Sequence, residues 1–176
     1  GDNVVITDSE FPSNRMPWEA LADRGVEVRE ARCTPAGEAT CEANILGMVD
    51  ERTRVVSVSS VQFGTGRALD LKRLGEALAS APAAFCVDAI QSLGAFPFDV
   101  EAIQADFVAA DGHKWLLGPE GLGIFYCAPQ WLERLTLHQW GWHMAEPFGD
   151  FDARQWTPAA TARRFGACRS HNVHAK

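Results

Sequence analysis

The stretch DGHKWLLGPEG, residues 111–121, follows a strand-like run in residues 103–110 and carries the strongest local signal in the sequence. Its lysine, Lys114, comes just after the predicted strand and is followed by the apolar residues Trp115, Leu116 and Leu117. Burial disfavours a charged ammonium, and the neutral amine is the form that attacks an aldehyde. This placement therefore suits Schiff-base chemistry, and the alternative is a lysine that only extends from a strand end into solvent.

Short β-branched runs alternate with helical patterns along the rest of the chain. Apolar residues at helical spacing follow Asp70, which we expect to be the N-cap of its helix. The alternation predicts an α/β fold with a mostly parallel central sheet. Strands are expected near residues 4–7, 26–28, 54–59, 84–87, 103–110 and 121–127, and helices near 12–22, 42–49 and 71–78.

A second signal, VDAIQ, spans residues 87–91 and ends another predicted strand. In open α/β sheets ligands collect at the carboxyl ends of strands, so Asp88 and residues 111–114 are expected to converge. A carboxylate such as Asp88 can keep a pyridine nitrogen protonated, and Gln91 can donate to a phenolic oxygen. The alternatives are a helix cap for Asp88 and an ordinary surface amide for Gln91.

Composition excludes several classes of protein. The chain has 176 residues, 47% of them hydrophobic, which predicts one compact domain. A formal charge of −7 argues against a nucleic-acid or anionic-membrane surface, and no apolar run is long enough to span a membrane. The five cysteines form no metal-binding pattern, so we expect no metal, reduced thiols and a cytoplasmic protein.

The two signals together resemble the class V aminotransferase family of pyridoxal-5′-phosphate (PLP) enzymes, which includes cysteine desulfurases and selenocysteine lyases. The resemblance rests on Asp-x-x-Gln after a strand, on Gly-His-Lys and on Gly-Pro-x-Gly. It extends to EFPSN at residues 10–14, to Pro17-Trp18 and to RTR at residues 52–54. The resemblance implies a three-layer α/β/α large domain of fold type I, PLP as the cofactor, an amino-acid substrate and a homodimer.

The resemblance also assigns roles to individual residues. Lys114 is implied as the catalytic residue that bonds to the cofactor and moves the α-proton. Asp88 is implied to pair with the pyridinium, Gln91 to contact the phenolic oxygen, His113 to lie near the phosphate and Phe11 to stack on the ring. Either Gln62 or Phe63 stands where the family usually has an asparagine. The implied cofactor-binding residues are Phe11, Gln62, Asp88, Gln91, His113 and Lys114.

Three departures from the family pattern bear on function. Desulfurases usually have a histidine where Phe11 stands, and phenylalanine cannot pass protons, so an aminotransferase, epimerase or lyase branch is favoured. Asp111 stands where many members have a phosphate-binding serine, and we expect it to point elsewhere because an anion beside phosphate is unfavourable. Ser170 lies in a stretch that resembles a loop reaching into a partner subunit's site.

These observations predict a PLP-dependent transformation of an amino acid. Residues 1–176 are interpreted as part of a PLP-binding large domain, because the upstream phosphate-binding segment and the C-terminal small domain of the family are not found. Alternatives are a cysteine desulfurase or selenocysteine lyase, whose catalytic cysteine would lie beyond residue 176, and an inactive PLP-binding fragment. An unrelated α/β binding domain would leave Asp88 and Lys114 far apart. The aromatic residues at 140–156 are interpreted as a dimer interface or as core.

Overall fold

The computed structural model describes residues 1–33 and 40–166 and contains a six-stranded sheet with the order β2-β1-β3-β4-β5-β6. The first five strands of the chain pair in parallel, and β6 is antiparallel to β5. The prediction of an α/β fold with a mostly parallel central sheet is therefore confirmed. The strands are β1 (Asn3–Thr7), β2 (Glu27–Ala31), β3 (Thr53–Ser59), β4 (Ala84–Asp88), β5 (Phe107–Asp111) and β6 (Gly123–Cys127).

Helices lie on both faces of this sheet. On one face, α2 (Cys41–Gly47) and α3 (Leu71–Leu78) bury Ile45 and Leu74 in the same apolar cluster as Val56 and Val58 of β3. Side chains alternate between faces along a strand, so Ser57 points to the other side. There its hydroxyl donates a 2.8 Å hydrogen bond to Asn14 of α1 (Pro12–Glu19). The layers are therefore helix, sheet and helix, as the sequence predicts.

The helix starts follow from their local sequence. The side chain of Asp70 accepts a 3.0 Å hydrogen bond from the backbone N–H of Arg73, and Thr40 accepts one of 3.2 Å from Ala43. These caps satisfy backbone donors that the first turn of a helix leaves without partners. The predicted N-cap at Asp70 is confirmed.

The α1 face of the sheet is only partly covered by the described residues. Beyond α1, a groove of 1320 Å³ is lined by Cys86, Phe107 and Phe125 of neighbouring strands and by Trp131. The indole N–H of Trp131 donates to Asp106 at 2.6 Å, which fixes one wall of the groove. Phe125, which lines this groove, and Ile124, on the opposite face of β6, are both about half exposed.

Two further features lie outside the main sheet. A small antiparallel ladder joins β7 (Ala145–Glu146) to β8 (Thr157–Pro158). Cys33 and Cys41 form a disulfide with a Cα–Cα distance of 4.5 Å, so the prediction that all thiols are reduced is wrong for this pair. The sequence spacing did not reveal the pair, because β2 and α2 bring the two cysteines together in space. Among the described residues, no helix is long and apolar enough to cross a membrane.

Candidate active site

Three neighbouring strands place polar side chains on one face at their carboxyl ends. Ser59 of β3 is in register with Asp88 of β4, and Asp88 is in register with Ala109 of β5. Asp111 lies two residues beyond Ala109 and therefore shares its face. This is also the face that α1 covers, so the first turn of α1, beginning after Phe11, lies near the same edge. The predicted convergence of Asp88 with residues 111–114 is present in the fold.

The loops after β4 and β5 touch each other directly. Gly94 has a backbone φ of +94°, and a Cβ at this position would lie 2.6 Å from the carbonyl oxygen of Trp115. A side chain at residue 94 would thus collide with the backbone immediately after Lys114. The close approach fixes the distance between the turn that follows Asp88 and the turn that contains Lys114.

Lys114 is partly buried and lies close enough to Asp88 for its positive charge to lower the pKa of that carboxyl. The apolar backing expected around it is wrong in part, because Trp115 is 54% exposed and Leu117 is 90% exposed. The turn formed by residues 114–117 directs these side chains outward instead of packing them under the lysine. Its last residue, Leu117, has a positive φ of 54° and donates its N–H to the carbonyl oxygen of Lys114.

Burial and neighbouring groups shift the pKa of the Asp88 carboxyl. Burial raises the pKa of the Asp88 carboxyl, and the negative charge of Glu10 acts in the same direction. The backbone N–H of Ile90, at 3.0 Å from one carboxylate oxygen, and the charge of Lys114 act against this rise in pKa. Within the described residues, no side-chain cation donates a hydrogen bond to this carboxylate. A partly buried anion of this kind is suited to a cationic ligand group.

A buried polar cluster beside Asp88 was not predicted. Its centre is Glu10, which is 7% exposed and accepts hydrogen bonds from Thr7, Asn14 and Ser59 at 2.5 to 3.1 Å, including the backbone N–H of Ser59. The amide of Gln62 donates to it at 3.2 Å. The sequence offers one signal: Thr7, Ser57 and Ser59 are hydroxyl residues within otherwise apolar strands, and buried hydroxyls need partners.

The sequence left open whether Gln62 or Phe63 stands at the family's asparagine position, and the two side chains have different surroundings. Gln62 is 1% exposed, donates to Thr7 at 3.0 Å as well as to Glu10, and leaves its Oε1 without a partner in the described part of the chain. Phe63 is about half exposed and meets Phe11 edge to face, with 5.2 Å between ring centroids. The exposed ring of Phe11 thus has one edge supported.

The remaining predicted residues are partly exposed. Gln91 lies in the turn after β4, and its side chain makes no hydrogen bond to the residues that the structure describes. Nδ1 of His113 lies 3.6 Å from a carboxylate oxygen of Asp111, a distance longer than a hydrogen bond. Asp111 is exposed, and its negative charge raises the pKa of Asp88. Ser170 lies outside the described residues.

The arrangement fits a pyridine aldehyde cofactor. Asp88 is a partly buried anion with no cationic hydrogen-bond donor among the described residues, Lys114 supplies a primary amine beside it, and Phe11 presents a ring at the same edge. His113 directly precedes Lys114, and Asp111 lies beside it. The described residues contain no group of three or more His, Cys, Asp or Glu that could hold a metal ion.

Comparison with known proteins places this site in a family. Residues 1–169 match the family described as aminotransferase class-V. A probable cysteine desulfurase of Methanothermobacter thermautotrophicus is 41% identical over 128 residues, which cover 73% of this chain and 32% of that protein.

Two solved structures show the same fold over nearly the whole chain. One is a complex between the cystine C-S lyase C-DES and its reaction product cysteine persulfide, with a TM-score of 0.85, 27% identity and coverage of 97% of this chain and 46% of that one. The other is a C-DES mutant with glycine covalently linked to the PLP cofactor, with a TM-score of 0.82, 26% identity and coverage of 97% and 45%.

The match to the family covers every residue that the structure describes. The chain spans about a third of the length of the curated relative and less than half of each solved structure. The sequence motifs, the parallel sheet with its polar carboxyl edge and the similarity to cysteine desulfurases agree with one another. The chain belongs to the class V aminotransferase family.

Proposed function

We propose that this chain forms the cofactor-binding part of a PLP-dependent enzyme that transforms an amino acid, with Lys114 as its catalytic residue. One observation carries the proposal: Asp88 ends β4, Lys114 follows β5 at the same edge of the sheet, and the loops after these two strands touch at Gly94 and Trp115. An anion and a primary amine so placed match the two ends of a pyridine aldehyde. When bound, PLP supplies an electron sink for charge that develops at the α-carbon of the substrate.

Each predicted site residue of this chain would have its own role in holding the cofactor or moving a proton. Asp88 would accept a hydrogen bond from the pyridine nitrogen and keep that nitrogen protonated. Lys114 would hold the cofactor through its amine and, once released by the substrate, carry a proton at the α-carbon. Phe11 would stack on the ring and exclude water from one face of it. Gln91 would donate to the phenolic oxygen, and His113 would lie near the phosphate.

Gln62 has a different role in this proposal from the one that its sequence position suggests. Its Nε2 is committed to Thr7 and Glu10, so it would support the edge beneath the cofactor more than contact it. Its unpartnered Oε1 is the atom that remains available for a ligand donor. Phe63, in contact with Phe11, would restrict the tilt of the stacking ring.

Reconstitution with PLP tests the proposal. The chain is expected to develop the near-visible absorption band of lysine-bound cofactor, and reduction with borohydride followed by mass spectrometry should place the adduct on the peptide containing Lys114. Lys114→Ala should abolish both signals. Lys72→Ala is the matched control, because Lys72 is an exposed lysine of α3 paired with Glu76 at 3.9 Å. An adduct on Lys72, or no band in a folded chain, would contradict the proposal.

A second candidate is cysteine desulfurase or a related lyase, which the similarity to the M. thermautotrophicus protein favours. Neither free cysteine in the described part suits the role of a nucleophilic thiol. Burial raises the pKa of Cys86 to about 11 and also raises the pKa of Cys127. A desulfurase would therefore need its persulfide-forming thiol from another source. Sulfide release from cysteine, with and without an added small thiol, distinguishes this candidate from an aminotransferase, which would instead need a keto acid acceptor.

We further propose that residues 1–176 correspond to a portion of a large domain and that the complete site forms in a homodimer. The solved relatives are more than twice as long as the segment this chain matches, which supports the first of these two proposals. The resemblance to the family supports the second. An isolated chain that takes up PLP but transforms no amino acid would favour the remaining alternative, an inactive PLP-binding fragment. Sedimentation of the reconstituted chain tests the dimer.

A further inference from the structure

Glu10 is a buried carboxylate that has no role among those proposed above for the cofactor site. Its side chain accepts hydrogen bonds from Thr7 at 2.6 Å, from Asn14 at 2.7 Å and from both the backbone N–H and the hydroxyl of Ser59. Within the described part of the chain, no cationic side chain forms an ion pair with it. A buried negative charge without a cation is costly, so its presence beside a ligand site needs an explanation.

The carboxylate of Glu10 lies close to the position of Asp88. The hydroxyl of Ser59 lies 2.5 Å from Glu10, and Ser59 is the in-register neighbour of Asp88 in the sheet. In-register residues of adjacent parallel strands place their side chains on the same face, and the strands lie about 4.8 Å apart. Glu10 is therefore separated from Asp88 by a single side chain, on the face of the sheet that α1 covers.

The charges at this edge of the sheet are mostly negative. Burial raises the pKa of Asp88 most, the charges of Glu10 and Asp111 raise it further, and the charge of Lys114 lowers it. Asp111 is exposed, so solvent screens its charge more than that of the buried Glu10. A ligand group that carries a proton next to Asp88 reduces the repulsion between the two buried carboxylates, and an uncharged group does not.

The same carboxylate joins the two loops that carry the aromatic pair of the candidate site. Glu10 directly precedes Phe11, and Gln62, which donates to Glu10 at 3.2 Å, directly precedes Phe63. Phe11 and Phe63 meet edge to face. Glu10 thus holds both loops together while its charge acts on Asp88. An experiment on Glu10 has to separate the loss of these contacts from the loss of the charge.

We propose that Glu10 is a positioning residue of the cofactor site, whose buried negative charge acts through Asp88 and selects a cofactor with a protonated ring nitrogen. The inference rests on the function proposed above. Asp88 accepts the hydrogen bond from the ring nitrogen, and the nearby charge of Glu10 makes the loss of that proton less favourable. If Glu10 had only a structural role, its charge would not affect the choice between PLP and an analogue without a ring nitrogen.

Two cofactors that differ at the ring nitrogen test the inference on the full chain. In 1-deazapyridoxal 5′-phosphate a C–H group replaces that nitrogen, so no proton can be held there. By calorimetric titration, Glu10→Gln should weaken the binding of PLP about tenfold more than the binding of the deaza analogue. Glu10→Asp keeps the charge on a shorter side chain and should weaken the binding of both cofactors by similar factors. Glu19→Gln removes an exposed charge of α1 and should change neither affinity.

The ring nitrogen gives a readout that does not depend on affinity. In NMR spectra of nitrogen-15-labelled PLP, the nitrogen should be protonated in the unmodified chain at pH 7. The pH at which it loses that proton should be lower in Glu10→Gln than in Glu10→Asp. Circular dichroism verifies the folding of each variant.

The possible outcomes distinguish this inference from the function on which it rests. Equal losses of affinity for both cofactors in Glu10→Gln, or an unchanged pH midpoint for the nitrogen, would overturn the inference and leave the proposed function intact. An unprotonated nitrogen in the unmodified chain would overturn the inference even if Glu10→Gln does not fold. If the unmodified chain binds neither cofactor, the proposed function is wrong as well.

Discussion

The amide nitrogen of Gln62 lies 3.2 Å from a carboxylate oxygen of Glu10, and this contact joins the loop after β3 to the loop after β1 in a buried polar cluster. The cluster also receives the hydroxyls of Thr7 and Ser59. The negative charge of Glu10 also raises the pKa of Asp88. The cluster that stabilises this edge of the sheet therefore also influences the charge of the candidate site.

Glu10→Gln is expected to lower the free energy of unfolding by about 2 kcal/mol, because the new amide N–H₂ faces donors that need an acceptor. Urea unfolding followed by circular dichroism measures the change. Glu19→Gln is the matched control, since Glu19 is an exposed partner of Arg15 on α1 and should change stability by less than about 0.5 kcal/mol. Equal effects of the two substitutions would show that the Glu10 cluster contributes little.

Asp88→Asn should stabilise the chain without cofactor at pH 7 by roughly 0.5–2 kcal/mol while weakening PLP uptake. The pKa of Asp88 is raised in the folded state, so the folded protein binds more protons than the unfolded chain between the two pKa values. Stability therefore falls as pH rises through that window, and the stabilising effect of the substitution should shrink toward pH 4. A substitution that destabilises the chain at pH 7 would contradict this account.

Gly94→Ala should destabilise the chain by about 2 kcal/mol or more and impair PLP uptake, because it combines a positive φ with a 2.6 Å contact to the Trp115 carbonyl. Two controls separate these causes. Gly66 has a positive φ of 69° and open space around its Cα, so Gly66→Ala measures the cost of the backbone conformation alone. Gly64 has open space and no positive φ, so Gly64→Ala has neither cost. Thermal unfolding should rank the losses in the order Gly94, Gly66, Gly64. A loss at Gly94 no larger than that at Gly66 would remove the role assigned to the loop contact.

Asp70→Ala should cost about 1 kcal/mol of stability, since it removes the acceptor for the first turn of α3. Asp70→Asn is the conservative comparison and should retain most of that stability, because asparagine is also a good N-cap. Chemical denaturation of the two variants checks the prediction. This substitution should leave PLP uptake by the folded chain unchanged, as α3 lies on the opposite face of the sheet from Asp88.

The sequence predicted the features that depend on neighbouring residues. The β-branched runs, the cap at Asp70 and the alternation that gives a parallel sheet all reflect local rules. The Glu10 cluster was missed because Glu10 meets Ser59 across 49 residues, and no local pattern encodes such a contact. The disulfide joins Cys33 and Cys41, which are eight positions apart, and that spacing matches no cysteine motif considered in the sequence. Trp115 and Leu117 are exposed because they lie in the turn that follows Lys114.

The site residues differ in how far their positions could be predicted. Asp88 and Lys114 follow from the rule that polar residues after parallel strands meet at one edge. The pairing of Phe11 with Phe63 does not follow from any such rule, because it depends on how two loops of unrelated sequence approach each other. The roles of all six residues in binding PLP remain predictions, and the Lys114 and Asp88 variants test two of them.

The open groove beside β6 has a practical consequence for work with this chain. β6 is one of the two edge strands of the sheet, and its apolar side chains Ile124 and Phe125 are about half exposed. An edge with free backbone donors and acceptors next to apolar surface is a template for aggregation. Aggregation of the isolated polypeptide should therefore increase steeply with its concentration, and Ile124→Lys should reduce it.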